Sequence, residues 1–331
     1  MNTDRPILIT GAAGFIGSHL AQRLCRDGRE VVGLDNLDEF YDPALKHKNL
    51  AAVEAVAHGR FRFVKGDIRD SDAVTGLYRE YKPGATVHLA ARGGVRPSIL
   101  DPALYASVNI EGSTVMMEAA RKAIPEAPFL LASSSSVYGN NEKVPFAETD
   151  PVEMPISPYA ATKRSCELVA ATYHQLYDMP IACLRFFNAF GPRQRPDLAF
   201  SKFLRMVAAG EQIPFYGDGT TSRDYTFIDD MLEGVVAAME RIHQFGYRIW
   251  NLGSDRPVTL STVVETVSEV VGREAVIDRM PVPPGDVRQT YADLTRSRDE
   301  LGYEPKIPFS DALARQYASI QQETDVAAGV G

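Results

Sequence analysis

Tyr159 and Lys163 stand four residues apart, and Ser157-Pro158 just ahead of them supplies an N-cap and a first-turn proline. That spacing predicts a helix with both side chains on one face, a turn apart. A phenol holds its proton too firmly to act as a base near neutral pH, and a neighbouring ammonium weakens that hold. Ser134 lies in the run Ala132-Ser133-Ser134-Ser135-Ser136-Val137-Tyr138-Gly139 and could share the hydrogen bond to a reacting hydroxyl. The pattern describes a group able to move a proton; the bland reading of the serine run is strand-end capping.

Some 120 residues upstream, Thr10-Gly11-Ala12-Ala13-Gly14-Phe15-Ile16-Gly17 follows an apolar strand and opens a helix. Glycines at 11, 14 and 17 let backbone approach a pyrophosphate, and the helix N-terminus offers unpaired N–H groups. Asp35 ends the second strand, where a carboxylate accepts from ribose hydroxyls and repels a 2′-phosphate, so NAD is expected rather than NADP. Asp67-Ile68 after the third strand and Leu89-Ala90-Ala91 after the fourth should line the same crevice. A helix cap is the alternative for Asp67.

These groups need a scaffold, and the first half alternates strand-like and helical runs. Residues 7–10, 31–34, 61–64, 85–89, 129–132 and 181–184 read as strands, and 16–26, 72–81, 108–122 and 159–177 as helices. The expected class is α/β, a doubly wound parallel (Rossmann) sheet. After about Asn188 the pattern turns to Pro- and Gly-rich loops, a helix at 201–209 and a strand at 213–216. A helix at 226–241 and a strand at 249–252 would return the chain to the main sheet. The expected division is 1–187 plus about 226–253 for the dinucleotide, and about 188–225 plus 254–325 for a smaller, interleaved substrate-binding domain. Residues 327–331 read as a frayed tail.

At 331 residues the chain can bury an enzyme-sized core, and a net charge of −8 argues against a nucleic-acid or anionic-membrane partner. Cys25, Cys166 and Cys183 show no paired spacing, and no His or Cys pattern asks for a metal. His88 reads as a packed strand histidine. The polar residues 1–5 lead directly into a short strand without a signal-peptide core, and the expected location is cytoplasmic.

Taken together, TGAAGFIG, Asp35, Leu89-Ala90-Ala91, Ser107-Val108-Asn109, ASSSSVYG, Tyr159-Ala160-Ala161-Thr162-Lys163, Leu184-Arg185-Phe186-Phe187-Asn188, Phe190-Gly191-Pro192 and residues 223–230 resemble the extended branch of the short-chain dehydrogenase/reductase superfamily. These are the nucleotide-sugar epimerases and dehydratases, and the resemblance covers nearly the whole chain. It implies a retained NAD that takes a hydride from the sugar and returns it, with Asn109 added to the cofactor-binding residues. It also implies a homodimer formed through the helices at 108–122 and 159–177.

In the related 4,6-dehydratases the two residues before Val-Tyr-Gly are Asp-Glu, whereas here they are Ser135-Ser136. Dehydration then lacks its general acid and base, which favours 4-epimerisation. Together with ASSSSVYG, Lys143-Val144-Pro145-Phe146, Gly94-Val95-Arg96 and residues 191–197 are most similar to the UDP-glucuronate 4-epimerases. The resemblance implies a UDP-sugar whose carboxylate meets Ser135, Ser136 and Arg96 or Arg195, a uracil near Phe215 and Tyr216, and a diphosphate near Arg223 and Arg288. Asn188 stands where those enzymes commonly have Thr and Arg92 where they have Gln, so UDP-glucose or UDP-N-acetylglucosamine epimerisation is the alternative. Less favoured are dehydration, decarboxylation, net oxidoreduction and a noncatalytic NAD sensor. Pro284-Gly285-Asp286 lacks the arginine that often precedes Gly-Asp, which leaves a solvated surface role open for Arg288.

Overall fold

A computed structural model describes residues 5–282 and 287–328. The polar start at 1–4, the Pro284-Gly285-Asp286 segment and the last three residues of the expected tail lie outside them.

Six alternating units build the main sheet: β1 (Ile7–Thr10), α1 (Phe15–Arg26), β2 (Val31–Asp35), α2 (Pro43–Ala57), β3 (Phe61–Lys65), α3 (Ser71–Tyr81), β4 (Ala85–His88), β5 (Phe129–Ser134) and β6 (Ile181–Phe186). Between β4 and β5 run α4 (Val95–Leu100), α5 (Pro102–Tyr105), a π-helical turn (Ala106–Glu111) and α6 (Gly112–Ala123); α7 (Pro158–Tyr177) precedes β6. Outside the edge strand β3, these strands are buried at almost every position because helices cover both faces, as a parallel sheet requires. β7 (Asn188–Phe190), α8 (Ala199–Ala209), β8 (Gln212–Tyr216), β9 (Ser222–Phe227) and α9 (Ile228–Arg241) follow. β10 (Tyr247–Leu252) then rejoins the sheet beside β6, giving seven parallel strands in the order β10-β6-β5-β4-β1-β2-β3. The order reverses between β1 and β4, which opens a crevice at the carboxyl ends of the strands there.

The remainder comprises β11 (Pro257–Thr259), α10 (Leu260–Val271), β12 (Val276–Met280), α11 (Thr295–Leu301) and α12 (Phe309–Ala328). β11-β9-β7 form one small sheet and β12-β8 another, placed over the carboxyl ends of β5 and β6 by the direct run from β6 into β7. One core cluster spans both parts. Trp250 on β10 has no exposed surface and donates through Nε1 to Glu300 of α11 at 2.8 Å. Burying such an aromatic contributes about 2–3 kcal/mol, and its polar tip is satisfied.

Several expected bounds shift. The helix at 226–241 begins at Ile228 because Thr226 and Phe227 still pair in β9. α2 escaped the sequence reading, although Asp42 caps it and Pro43 opens it, because its apolar residues are spread around the helix rather than gathered in a stripe. The segment at 108–122 is two pieces, with the wider π turn changing which residues face inward at 106–111. α12 continues to Ala328, past the expected start of the tail.

Candidate active site

The crevice is a cleft of about 600 Å³. Gly11, Gly14, Phe15, Ile16 and Gly17 form one wall. A Cβ at Gly17 would lie 2.1 Å from the Gly11 oxygen, and one at Gly11, where φ is +70°, would lie 2.9 Å from the Ala90 nitrogen. Only Cβ-free residues let this turn close so tightly. Gly14 is the N-cap of α1 and supplies no side-chain acceptor, and the first turn holds no acid. The N–H groups of that turn therefore face the cleft as donors for an anion.

Asp35 sits at the end of β2, 8% exposed, with Oδ2 accepting from Ala13 N at 3.1 Å and Oδ1 from Leu37 N at 2.8 Å. These bonds fix the carboxylate at the cleft wall. Asp67, Ile68, Leu89, Ala90 and Ala91 line the same space. Asp67 accepts from Arg69 Nε and Nη2 at 2.9 and 2.8 Å and from Asn36 at 3.1 Å, and the Arg69 guanidinium holds its carboxyl far below the usual range. The cap of α3 is Asp70 rather than Asp67. These residues fit an NAD: a glycine-framed, acid-free helix end for the diphosphate and a fixed carboxylate for a ribose.

Asn109, expected against the dinucleotide, stands elsewhere. It is fully buried on the π turn, accepting from Arg92 N at 2.7 Å and donating to Arg92 O and Thr162 Oγ1, both at 3.0 Å. There it ties the loop after β4 to α7.

Ser157 Oγ accepts from Ala160 N at 3.1 Å and Pro158 opens α7, which places Tyr159 and Lys163 on the cleft. Lys163 is 5% exposed and its ammonium donates to the Ala132 carbonyl at 2.7 Å. The Tyr159 ring meets that of Tyr105 edge-on, with centroids 6.3 Å apart. Ser134 is the last residue of β5, and its Oγ accepts from Ser136 N at 3.1 Å, which leaves the hydroxyl proton for another partner. Capping and exposure to the cleft thus coexist at this serine.

His88 is buried between Thr10 Oγ1 at 2.7 Å and Ser113 Oγ at 3.0 Å. Burial, and then the Lys163 charge, bring its pKa down to about 3. A neutral ring accepting from one hydroxyl and donating to the other satisfies both contacts.

A side pocket of about 160 Å³ adjoins the cleft, lined by Arg96, Ser135, Ser136, Asn188, Arg223 and Thr290 among others. Arg96 makes no ion pair among the described residues, and its guanidinium carbon lies 5.3 Å from the centre of the Tyr216 ring. Asn188 donates to the Asp224 carbonyl at 3.2 Å and to Thr290 Oγ1 at 3.3 Å. Arg195 lines the main cleft, where it chelates Asp197 at 3.0 and 2.7 Å and stacks on Phe40. Arg223 reaches both spaces and donates to the carbonyls of Ser222 and Arg288. Arg288 itself is exposed and lines neither. Phe215 is 5% exposed, under Gly219 and Arg279, so it packs the small sheet and offers no face to a base. Tyr216 lines neither space, and the Arg96 guanidinium lies over its ring.

Phe40, Tyr41 and Lys46, absent from the residues expected at the site, also line the cleft. They sit on the β2–α2 loop and on α2, and their one signal is the Asp42-Pro43 helix start. Arg92 joins them, bridged to Asp38 at 2.9 Å.

Residues 8–316 match the model of the GDP-mannose 4,6-dehydratase family. The chain is 39% identical over 325 residues to a probable UDP-glucuronate 4-epimerase of Rhizobium meliloti, covering 93% of this chain and 94% of that one. Among solved structures it is similar to the UDP-glucuronic acid 4-epimerase of Bacillus cereus in complex with UDP-glucuronic acid and NAD. The TM-score is 0.89 at 35% identity, over 96% of this chain and 99% of the other. The UDP-glucose 4-epimerase of Thermotoga maritima with UDP-glucose gives a TM-score of 0.87 at 31% identity, again over 96% and 99%.

Proposed function

Because the chain belongs to the GDP-mannose 4,6-dehydratase family, within the extended short-chain dehydrogenases/reductases, we propose that it is an NAD-dependent isomerase that interconverts UDP-glucuronate and UDP-galacturonate by inverting C4. A bound NAD would supply a reversible hydride acceptor at C4, so that inversion there needs no net redox change.

The chain's own residues account for the rest. The turn at Gly11–Gly17 holds the cofactor's diphosphate and Asp35 a ribose. Tyr159 removes the proton of the C4 hydroxyl and later restores it, Lys163 supplies the adjacent positive charge, and Ser134 donates to the reacting oxygen. Ser135, Ser136 and Arg96 hold the C5 carboxylate, which discourages its loss as carbon dioxide. Arg223 takes the nucleotide diphosphate, with Arg288 at its outer edge.

The observation that carries the glucuronate assignment is the pairing of two serines, in place of a dehydratase's acids, with Arg96 in one pocket. Asn188 favours the second reading, a neutral UDP-glucose or UDP-N-acetylglucosamine in the same place. Side-by-side turnover of the three UDP-sugars tests this, with preference for the acid expected and conversion of only a neutral sugar decisive against it.

We read the interleaved segments 1–187 and about 226–253 as the NAD-binding unit and about 188–225 plus 254–325 as the sugar-binding unit. No helix of the described residues is long and apolar enough to cross a membrane. We further read the protein as a cytoplasmic homodimer. Leu168, Leu176 and Tyr177 stay 52, 69 and 43% exposed on α7, and the first two share one helix face, which supports pairing through α6 and α7.

A further inference from the structure

One buried charge network touches both the helix that carries Tyr159 and the turn that carries the serines, yet none of its members lines either pocket with its charged group. Glu167 lies one turn beyond Lys163 on α7 and has no exposed surface. Its carboxylate accepts from Ser133 Oγ at 2.7 Å, Arg185 Nε at 2.8 Å, Arg185 Nη2 at 2.9 Å and Arg164 Nη1 at 3.0 Å. Arg185, 1% exposed, is the register partner of Ser133 on β5 and of Asn251 on β10. Its guanidinium carbon lies 4.7 Å from the centre of the Tyr138 ring. Tyr138 ends the turn Ser135–Tyr138 and donates to Asn251 Oδ1 at 2.7 Å.

Buried ion pairs are poor sources of stability, and replacing one by well-packed apolar residues is often neutral or favourable. A fork-to-carboxylate pair instead supplies direction, because two parallel hydrogen bonds fix rotation as well as distance. We propose that Glu167 and Arg185 are positioning residues of the reaction. They hold α7 at one rotation against β5, so that Lys163 meets the Ala132 carbonyl and Tyr159 faces Ser134. Through Tyr138 they also set the turn bearing Ser135 and Ser136. This inference rests on the proposed roles of Tyr159, Lys163 and Ser134.

The test compares wild type with the charge-free double variant Glu167→Met/Arg185→Met and with Arg185→Lys, which keeps the charge but loses the fork. Melting temperature, bound NAD, UDP affinity, kcat and KM are measured for each. Misplacement by an ångström or so can reduce turnover about 100-fold, and a kcat loss approaching that is expected, with UDP affinity unchanged in folded, NAD-loaded protein and KM moving only as far as the Ser135–Ser136 turn is displaced. Wild-type kcat in either variant overturns the proposal, as does a parallel loss of kcat, UDP affinity and melting temperature in Arg185→Lys. If the double variant does not fold, Arg185→Lys decides alone. Absence of epimerase activity in the wild type defeats the underlying reading instead.

Discussion

The Lys163 ammonium is hydrogen-bonded at 2.7 Å to the carbonyl of Ala132, two residues before Ser134 on β5. One bond therefore ties the Lys163 charge, one helical turn from Tyr159, to the strand that presents the serine, and the proposed proton transfer depends on a helix and a strand held in fixed register. Tyr159→Phe should abolish sugar turnover while NAD stays bound. Lys163→Met, which removes one positioned charge, should reduce kcat roughly 100- to 1,000-fold, in the range lost with other transition-state groups. Steady-state kinetics with cofactor content measured on the same samples checks both, and substantial activity in Tyr159→Phe would require another base.

Asp35 is pinned by two backbone N–H groups, so its carboxylate cannot swing away from a 2′-phosphate. Asp35→Ala should weaken NAD binding about tenfold or more, the value of a charge-assisted hydrogen bond, and narrow the gap to NADP. Titrating both dinucleotides into cofactor-free protein gives the ratio, and an unchanged ratio removes this assignment.

In the proposed reading, Arg96 is the residue that distinguishes an acidic from a neutral sugar. Arg96→Gln should lower kcat/KM for UDP-glucuronate about 10- to 100-fold, the worth of a hydrogen bond to a charged group, and leave any UDP-glucose turnover nearly unchanged. An equal fall for both sugars would place Arg96 on a group they share.

His88 and His19 both have pKa values lowered to about 3, first by burial and then by nearby Lys163 and Arg193 respectively. In the unfolded chain each takes a proton below its ordinary value of 6.5, while the folded protein keeps it neutral. Stability is then complete above pH 6.5 and falls as the pH drops toward 3, by up to about 1.4 kcal/mol per pH unit for each histidine. Urea unfolding between pH 6.5 and 5 should show a shallower loss for His88→Gln than for wild type. Identical slopes would mean that His88 does not contribute.

What could be read from residues alone was whatever chemistry local spacing encodes. The glycine turn, Asp35 and the Tyr159–Lys163 pair lie on elements whose periodicity is unbroken, so their facing follows from counting. Asn109 was expected at the cofactor from the family resemblance alone, and on the π turn its amide bonds to Arg92 and Thr162. Phe215 and Tyr216 were indistinguishable in sequence, since which neighbour of a strand pair is covered depends on β12, more than 60 residues later. Lys46 and Phe40 were hidden because α2 has no apolar stripe to announce it. The Glu167–Arg185 pair joins residues 18 apart through a sheet register that no local pattern specifies.

The most direct test incubates purified protein with UDP-glucuronate in heavy water, without added NAD, and follows the anomeric, C4 and C5 proton NMR signals. The expected result is UDP-galacturonate that keeps its C4 and C5 protons, with no pentose formed. Deuterium at C4, release of a UDP-pentose, or no reaction while UDP-glucose is converted would contradict epimerisation of the acid by a proton-moving Tyr159.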